Sequence, residues 1–391
     1  MSGRGAGVAA LALLVPLLAG CDGGFPEGPL KAARLTRGDC FWACPAYSVE
    51  IHGDGRVIYQ GRKNVVVVGP REGRAAPDDV ARVLAAARAA DFYDLRRVYL
   101  GRVSDNPLNT VRVRVGWRSH TVTEYAGEHA CMPASVGALE AAIDQAAGVR
   151  RWVAGDASTL PALRAERYDF GSADAARMLK QALTYGGPDD LILALIAGGA
   201  LKAQSAKDEA LELAVERGRA AVVIGLLAAG ARIGGPDRSG RTLLSRAADF
   251  DPGSRAPVEP AGDAAGVIRA LVARGADVRQ KDEFGATALH YAATPAAVTA
   301  LLAAGADREA RTAEGSTPLI YGGLGEDAVL ALIAAGANVD AKDDDGLGLA
   351  HLATLDRWPR VRAWLVARGK PVEPEESGAV QEKARGFSPN C

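Results

Sequence analysis

Apolar and polar positions alternate with a period of two soon after the start of the chain. Tyr47, Val49 and Ile51 fall on one side and Ser48 and Glu50 on the other, which predicts a half-buried strand. Gly53-Asp54-Gly55 is turn material and Val57 and Tyr59 carry a return strand, so the pair reads as a hairpin. Val65–Val68 is a continuous β-branched run and reads as a further strand. Pro77-Asp78-Asp79 opens a helix in which Val80, Val83, Leu84 and Ala87 share a face. Val111, Val113, Val115 and Trp117 then alternate with Arg112, Arg114 and Arg118, with Gly116 marking a bulge. His120–Tyr125 pairs back, and a helix over Pro133–Ala147 buries Val136, Leu139 and Ile143. These elements predict a small α+β domain over residues 30–153, followed by a linker at 154–171.

The second half follows a longer period. A Gly-Ala pair recurs at Gly199-Ala200, Gly230-Ala231, Gly275-Ala276, Gly305-Ala306 and Gly336-Ala337, and Gly369-Lys370 ends the series. The gaps are 31, 45, 30, 31 and 33 residues. Unit openings repeat as well: Asp237-Arg238-Ser239-Gly240, Asp282-Glu283-Phe284-Gly285, Thr312-Ala313-Glu314-Gly315 and Asp343-Asp344-Asp345-Gly346. Self-similarity at this spacing predicts stacked units that bury their apolar faces only against neighbouring units. Thr317 is placed to cap a helix whose first turn accepts Pro318, and Gly305 to supply a left-handed stop.

Gly285-Ala286-Thr287-Ala288-Leu289-His290-Tyr291-Ala292-Ala293 and Gly315-Ser316-Thr317-Pro318-Leu319 resemble the ankyrin signature, whose repeats run about 33 residues. The resemblance implies an all-α ankyrin-repeat solenoid of six units over 172–374, with an insertion near 249–263 and a flexible tail at 375–391. It also implies a protein-binding role, and assigns His290 and His351 to the repeat turn rather than to a ligand site. The first unit reads as a cap. Unit four is short near Thr294-Pro295.

Residues 1–20 combine Arg4, an apolar run from Val8 to Ala19 and small residues at the end, as a secretory signal does. The run is too short for a stable span, which takes about 20 apolar residues. Leu18-Ala19-Gly20-Cys21 resembles the lipobox of bacterial lipoproteins. That resemblance implies cleavage before Cys21, lipidation of its thiol and amino group, and anchorage to a membrane of the cell envelope, facing the periplasm. Residues 21–29 then form the tether.

Cys40-Phe41-Trp42-Ala43-Cys44-Pro45-Ala46-Tyr47, followed by Asp54-Gly55-Arg56-Val57-Ile58-Tyr59-Gln60-Gly61, resembles a bacterial domain of unknown function typified by C-x3-C-P-x-Y before a D-G-x-V-x-Y-x-G hairpin. The resemblance implies a fold and, by the recurring spacing, a Cys40–Cys44 disulfide. Cys131 and Cys391 leave other pairings open. Cys40, Cys44, His129 and Cys131 also make a chemically acceptable zinc set, against which stand loose spacing and an oxidising compartment.

Composition narrows the function. With 46 basic and 47 acidic residues, the chain lacks the positive footprint of a nucleic-acid binder. No hydrolase elbow, zinc-protease helix, phosphate loop or dinucleotide fingerprint is present, so the reading is a binder without cofactor or metal rather than an enzyme. The leading expectation is a membrane-tethered scaffold that holds another protein, with immunity or protection as one form of it. The alternative is a wall- or lipid-binding protein acting through its N-terminal domain. The expected contact is the acidic unit openings: Glu283, Phe284, Glu314, Asp344 and Asp345, with Asp282 and Asp343 shared between turn and contact. Arg112, Arg114 and Arg118 are expected to form a basic stripe on the open sheet face.

Overall fold

The computed structural model describes residues 24–41, 44–251, 262–356, 358–370 and 372. The signal segment, Cys21, most of the insertion and the tail with Cys391 lie outside them.

The N-terminal domain runs β1 (Leu30–Arg37), β2 (Ala46–His52), β3 (Arg56–Lys63), β4 (Gly69–Arg74), α1 (Pro77–Ala89), β5 (Val98–Leu100), β6 (Leu108–Val115), β7 (Arg118–Tyr125) and α2 (Ala134–Ala147). The seven strands form one sheet in the order β4-β3-β2-β1-β6-β7-β5, antiparallel except for the β5–β7 pair. Helices α1 and α2 pack on each other and on one face of the sheet. Pro77 starts α1 where its missing N–H costs nothing, and Asp79 accepts the Ala76 amide at 3.2 Å. The inward residues are the predicted ones: Tyr47, Val49, Ile51, Val57, Tyr59, Val111, Val113, Val115, Leu139 and Ile143 are all buried.

Three expectations are corrected. Trp117 is not inward: β6 ends at Val115, Gly116 turns with φ +57°, and Trp117 stands 90% exposed at the hairpin tip. Val65–Val68 is not a strand, although Val65, Val66 and Val67 are buried and Val68 partly so. Val66 and Val67 instead donate to the carbonyls of Val153 and Trp152 at 2.8 Å, which ties this loop to the end of the domain. The real fourth strand is the polar β4. The segment 154–171 is not a bare linker. After a short α3 (Arg150–Val153) it forms α4 (Thr159–Ala165), which buries Leu160 and Leu163 and packs on the second helix of the first repeat.

Six helical units follow among the described residues. They are α5 (Ala173–Tyr185) with α6 (Asp189–Ala197); α7 (Gln204–Glu216) with α8 (Ala220–Ala228); and α9 (Leu243–Ala248) with α10 (Ala264–Val272). A single 3₁₀ turn (Ala288–Tyr291) pairs with α11 (Pro295–Ala303), and another (Pro318–Ile320) with α12 (Glu326–Ala334); α13 (Leu349–Leu355) pairs with α14 (Pro359–Val366). The first helices of units four and five are therefore one turn long. Pro295 starts the next helix in unit four, and Gly322-Gly323, with φ +99° at Gly323, breaks the chain in unit five. The second helices contact one another in chain order from α6 to α14. Arg219, almost wholly buried, donates to Gly187 O at 2.6 Å and pairs with Asp189, locking unit two onto unit one. Thr242 and Thr294 cap their helices through Ser245 N and Ala297 N. Thr317 holds the cap position without a cap bond, and its hydroxyl is buried without a partner.

Candidate functional site

Each unit opening is a turn held by its first side chain. Asp282 Oδ1 accepts the amides of Phe284 and Ala286 at 3.0 and 2.9 Å, and Oδ2 accepts the Tyr291 hydroxyl at 2.5 Å. Asp237 and Asp343 accept the equivalent amides of their own turns, and Thr312 Oγ1 accepts Ser316 N at 3.1 Å. These aspartates are turn-formers, and the contact role expected for Asp282 and Asp343 gives way to that duty. Backbone bonds then join successive tips: Glu283 N to Ser239 O, Ala313 N to Phe284 O and Asp344 N to Glu314 O, at 3.3, 2.8 and 3.0 Å. The backbone is thus fixed while the side chains of Glu283, Phe284, Glu314, Asp344 and Asp345 project outward. All five are exposed, Phe284 at 54%. From unit four to unit six the tips form one row of acidic groups with an aromatic among them, whereas the tip of unit three carries the exposed Arg238.

His290 is fully buried behind that row. Its Nδ1 accepts the Thr287 amide at 3.0 Å, which leaves Nε2 to donate to Ser316 O of the next unit at 3.3 Å. Burial holds its pKa below the usual histidine range.

A second cluster lies inside the N-terminal domain and was not expected. Cross-strand register places Tyr47 opposite Arg37, Arg37 opposite Asn109, and Asn109 opposite Glu124, a polar row across four strands. Arg37 donates to Asp144 at 2.8 Å and to Glu140 at 3.1 Å, both on α2, and Tyr47 donates to Asp144 Oδ1 at 2.7 Å. Asn109 Nδ2 donates to Glu124 Oε1 at 2.5 Å, and Glu124 Oε2 accepts Gly127 N at 3.0 Å. Burial pushes Glu140 up to about 7 against the pull of Arg37, with Glu124 adding to the rise. Glu140 Oε1 and Asn109 Oδ1 are buried without partners. The signal was present in the alternation itself, since Arg37, Asn109 and Glu124 continue the inward parity of Leu35, Val111 and Val122.

Two family comparisons bear on these sites. Residues 31–147 match the domain of unknown function DUF6438, and residues 261–343 match ankyrin repeats in three copies. The chain carries a DUF6438 domain followed by ankyrin repeats. The ankyrin match runs from the third unit to the tip of the sixth, so it contains every one of the five expected contact residues except Asp344 and Asp345, which fall just beyond it. Within the DUF6438 domain, Cys40 and Cys44 form a disulfide with Cα atoms 5.4 Å apart. Cys131 is disulfide-bonded as well. The thiols of the zinc set are thereby used, and no group of three metal-ligating side chains occurs among the described residues. Arg118 leaves the expected basic stripe, because the turn at Gly116 sets it opposite the inward-facing Val115 rather than beside Arg112 and Arg114. Its guanidinium lies 5.2 Å from the Tyr93 ring centroid and donates to Gly24 O.

Proposed function

We propose that this protein is an envelope scaffold, tethered through Cys21, whose ankyrin tips hold a basic segment of another protein. Ankyrin repeats support a protein-binding role. The observation that carries the finer reading is the division of labour at the tips of units four to six: the first side chain of each turn holds the backbone, and of those that follow, Glu283, Phe284, Glu314, Asp344 and Asp345 are exposed, all acidic but Phe284. Such a row complements a basic strand or helix, and Phe284 offers an aromatic anchor beside the charges. The tether rests on the lipobox-like residues Leu18-Ala19-Gly20-Cys21. Among the described residues no helix is long and apolar enough to cross a membrane. The reading as a binder rather than an enzyme is supported by the histidines: His290 is spent between units, and His120 packs edge-on to Phe92 at 5.5 Å.

The test is association of the full chain with a panel of basic peptides. Glu283→Lys, Asp344→Lys and Asp345→Lys together should slow association and flatten its salt dependence without lowering the thermal midpoint. Unchanged association in a folded triple variant would move the contact elsewhere.

A further inference from the structure

The sheet face opposite α1 and α2 carries a hollow of about 140 Å³ lined by Ala32, Arg34, Glu50, Arg112 and Arg114. Strand register builds it. Arg34 on the central strand lies between Glu50 of β2 and Arg112 of β6, and Ala32 lies opposite Arg114. The alanine methyl makes the floor, and the long side chains stand around it.

The charges do not cancel. Glu50 is shared, 3.9 Å from Arg34 Nη1 and 3.5 Å from His52 Nε2. Among the described residues Arg112 spends only its Nε, on Ser119 Oγ at 3.1 Å. Arg114 makes no side-chain hydrogen bond or ion pair among the described residues. Three guanidinium groups therefore converge on a concavity that holds one partly committed carboxylate. The next row on this face, Thr36, Ser48, Thr110 and Thr123, is hydroxyl-bearing, and beyond it Leu108 and Leu100 are exposed on either side of Tyr125.

We propose that this hollow binds a phosphate-type oxyanion, gripped by Arg34, Arg112 and Arg114 above Ala32. A guanidinium presents paired donors that match two oxygens of such a group, and charge-assisted bonds of this kind are the strong ones. The volume suits a single phosphate group and falls below that of ordinary organic-ligand pockets, which start near 300 Å³. The order along the strands, arginine then hydroxyl then apolar, admits either free phosphate or the headgroup of an anionic lipid.

The experiment titrates the full chain, calorimetrically, with inorganic phosphate. Saturable binding that weakens with salt is expected, with a loss of about tenfold or more in Arg112→Gln/Arg114→Gln. Ala32→Leu keeps every charge but fills the floor, and should lose binding similarly, which a diffuse positive field would not require. Thermal midpoints check that both variants are folded. Flotation with phosphatidylglycerol or phosphatidylcholine vesicles separates the sources. A preference for the anionic vesicles that vanishes in the double variant assigns the lipid headgroup; phosphate binding with no such change assigns the free ion. The proposal is overturned if neither phosphate nor anionic vesicles distinguish the parent from the double variant, or if Ala32→Leu binds as the parent does.

Discussion

The Tyr47 hydroxyl donates to Asp144 Oδ1 at 2.7 Å, joining the second strand to the closing helix across 97 residues of chain. Burial and the neighbouring Asp144 both hold the phenol protonated, well above its usual range. Tyr47 ends the C-x3-C-P-x-Y segment, so this bond links the disulfide loop to the helical layer. Tyr47→Phe should cost about 1–3 kcal/mol, as expected for a hydrogen bond to a charged group. A cycle with Asp144→Asn should be non-additive by about 0.5 kcal/mol or more in urea denaturation. Additive losses would mean the two side chains act separately.

Glu140 sets a pH dependence in the same domain. Its folded pKa, about 7, lies above its ordinary 4.5, so the folded state binds the extra proton between those values. The stability this contributes is fully present below pH 4.5 and is lost as pH rises through 7, about 3 kcal/mol at most. The DUF6438 domain should melt lower at pH 8 than at pH 5.5, and Glu140→Gln should flatten the difference. A parent midpoint that rises between these values would contradict the assignment.

The ankyrin units should respond in the opposite sense through His290. Its folded pKa is depressed by burial, so stability is present above the unfolded value near 6.5 and falls as pH drops below it. His290→Gln should cost about 1–2 kcal/mol at neutral pH and remove that acid sensitivity, read from urea midpoints at pH 5 and 7.5. Equal pH slopes in parent and variant would show that His290 carries no part of it.

Much of this architecture was legible, and the gaps have physical reasons. The β2–β3 hairpin, α1 and α2 carry clean periods, and repeated Gly-Ala pairs and tip glycines mark the units. The central strand β1 escaped because Leu30-Lys31-Ala32-Ala33-Arg34-Leu35 puts alanine on both faces and shifts register between Leu30 and Ala32. β4, Gly-Pro-Arg-Glu-Gly-Arg, is a polar edge strand with no inward apolar side chain to betray it. The polar row and the arginine hollow both depend on β1 pairing with β6, about 75 residues away, and long-range register is invisible to local periodicity. The exposed positions of the tips were legible because the backbone duties fall to a repeated first residue, leaving the following positions free of them.

Cys21 gives a chemical test of the tether. Cells labelled with radioactive palmitate should mark the parent and not Cys21→Ala, which should remain unprocessed or be released in soluble form. Label retained by Cys21→Ala would remove the lipid anchor from the account.

Where a partner touches the repeats is read most directly by crosslinking. A photo-crosslinking residue at Phe284, on the tip row, can be compared in intact cells with one at Ile224, 56% exposed on α8. A discrete adduct from position 284, lost on charge reversal at Glu283, Asp344 and Asp345, with none from position 224, is the expected result. An adduct from 224 alone, or one at 284 that survives the triple reversal, would contradict it.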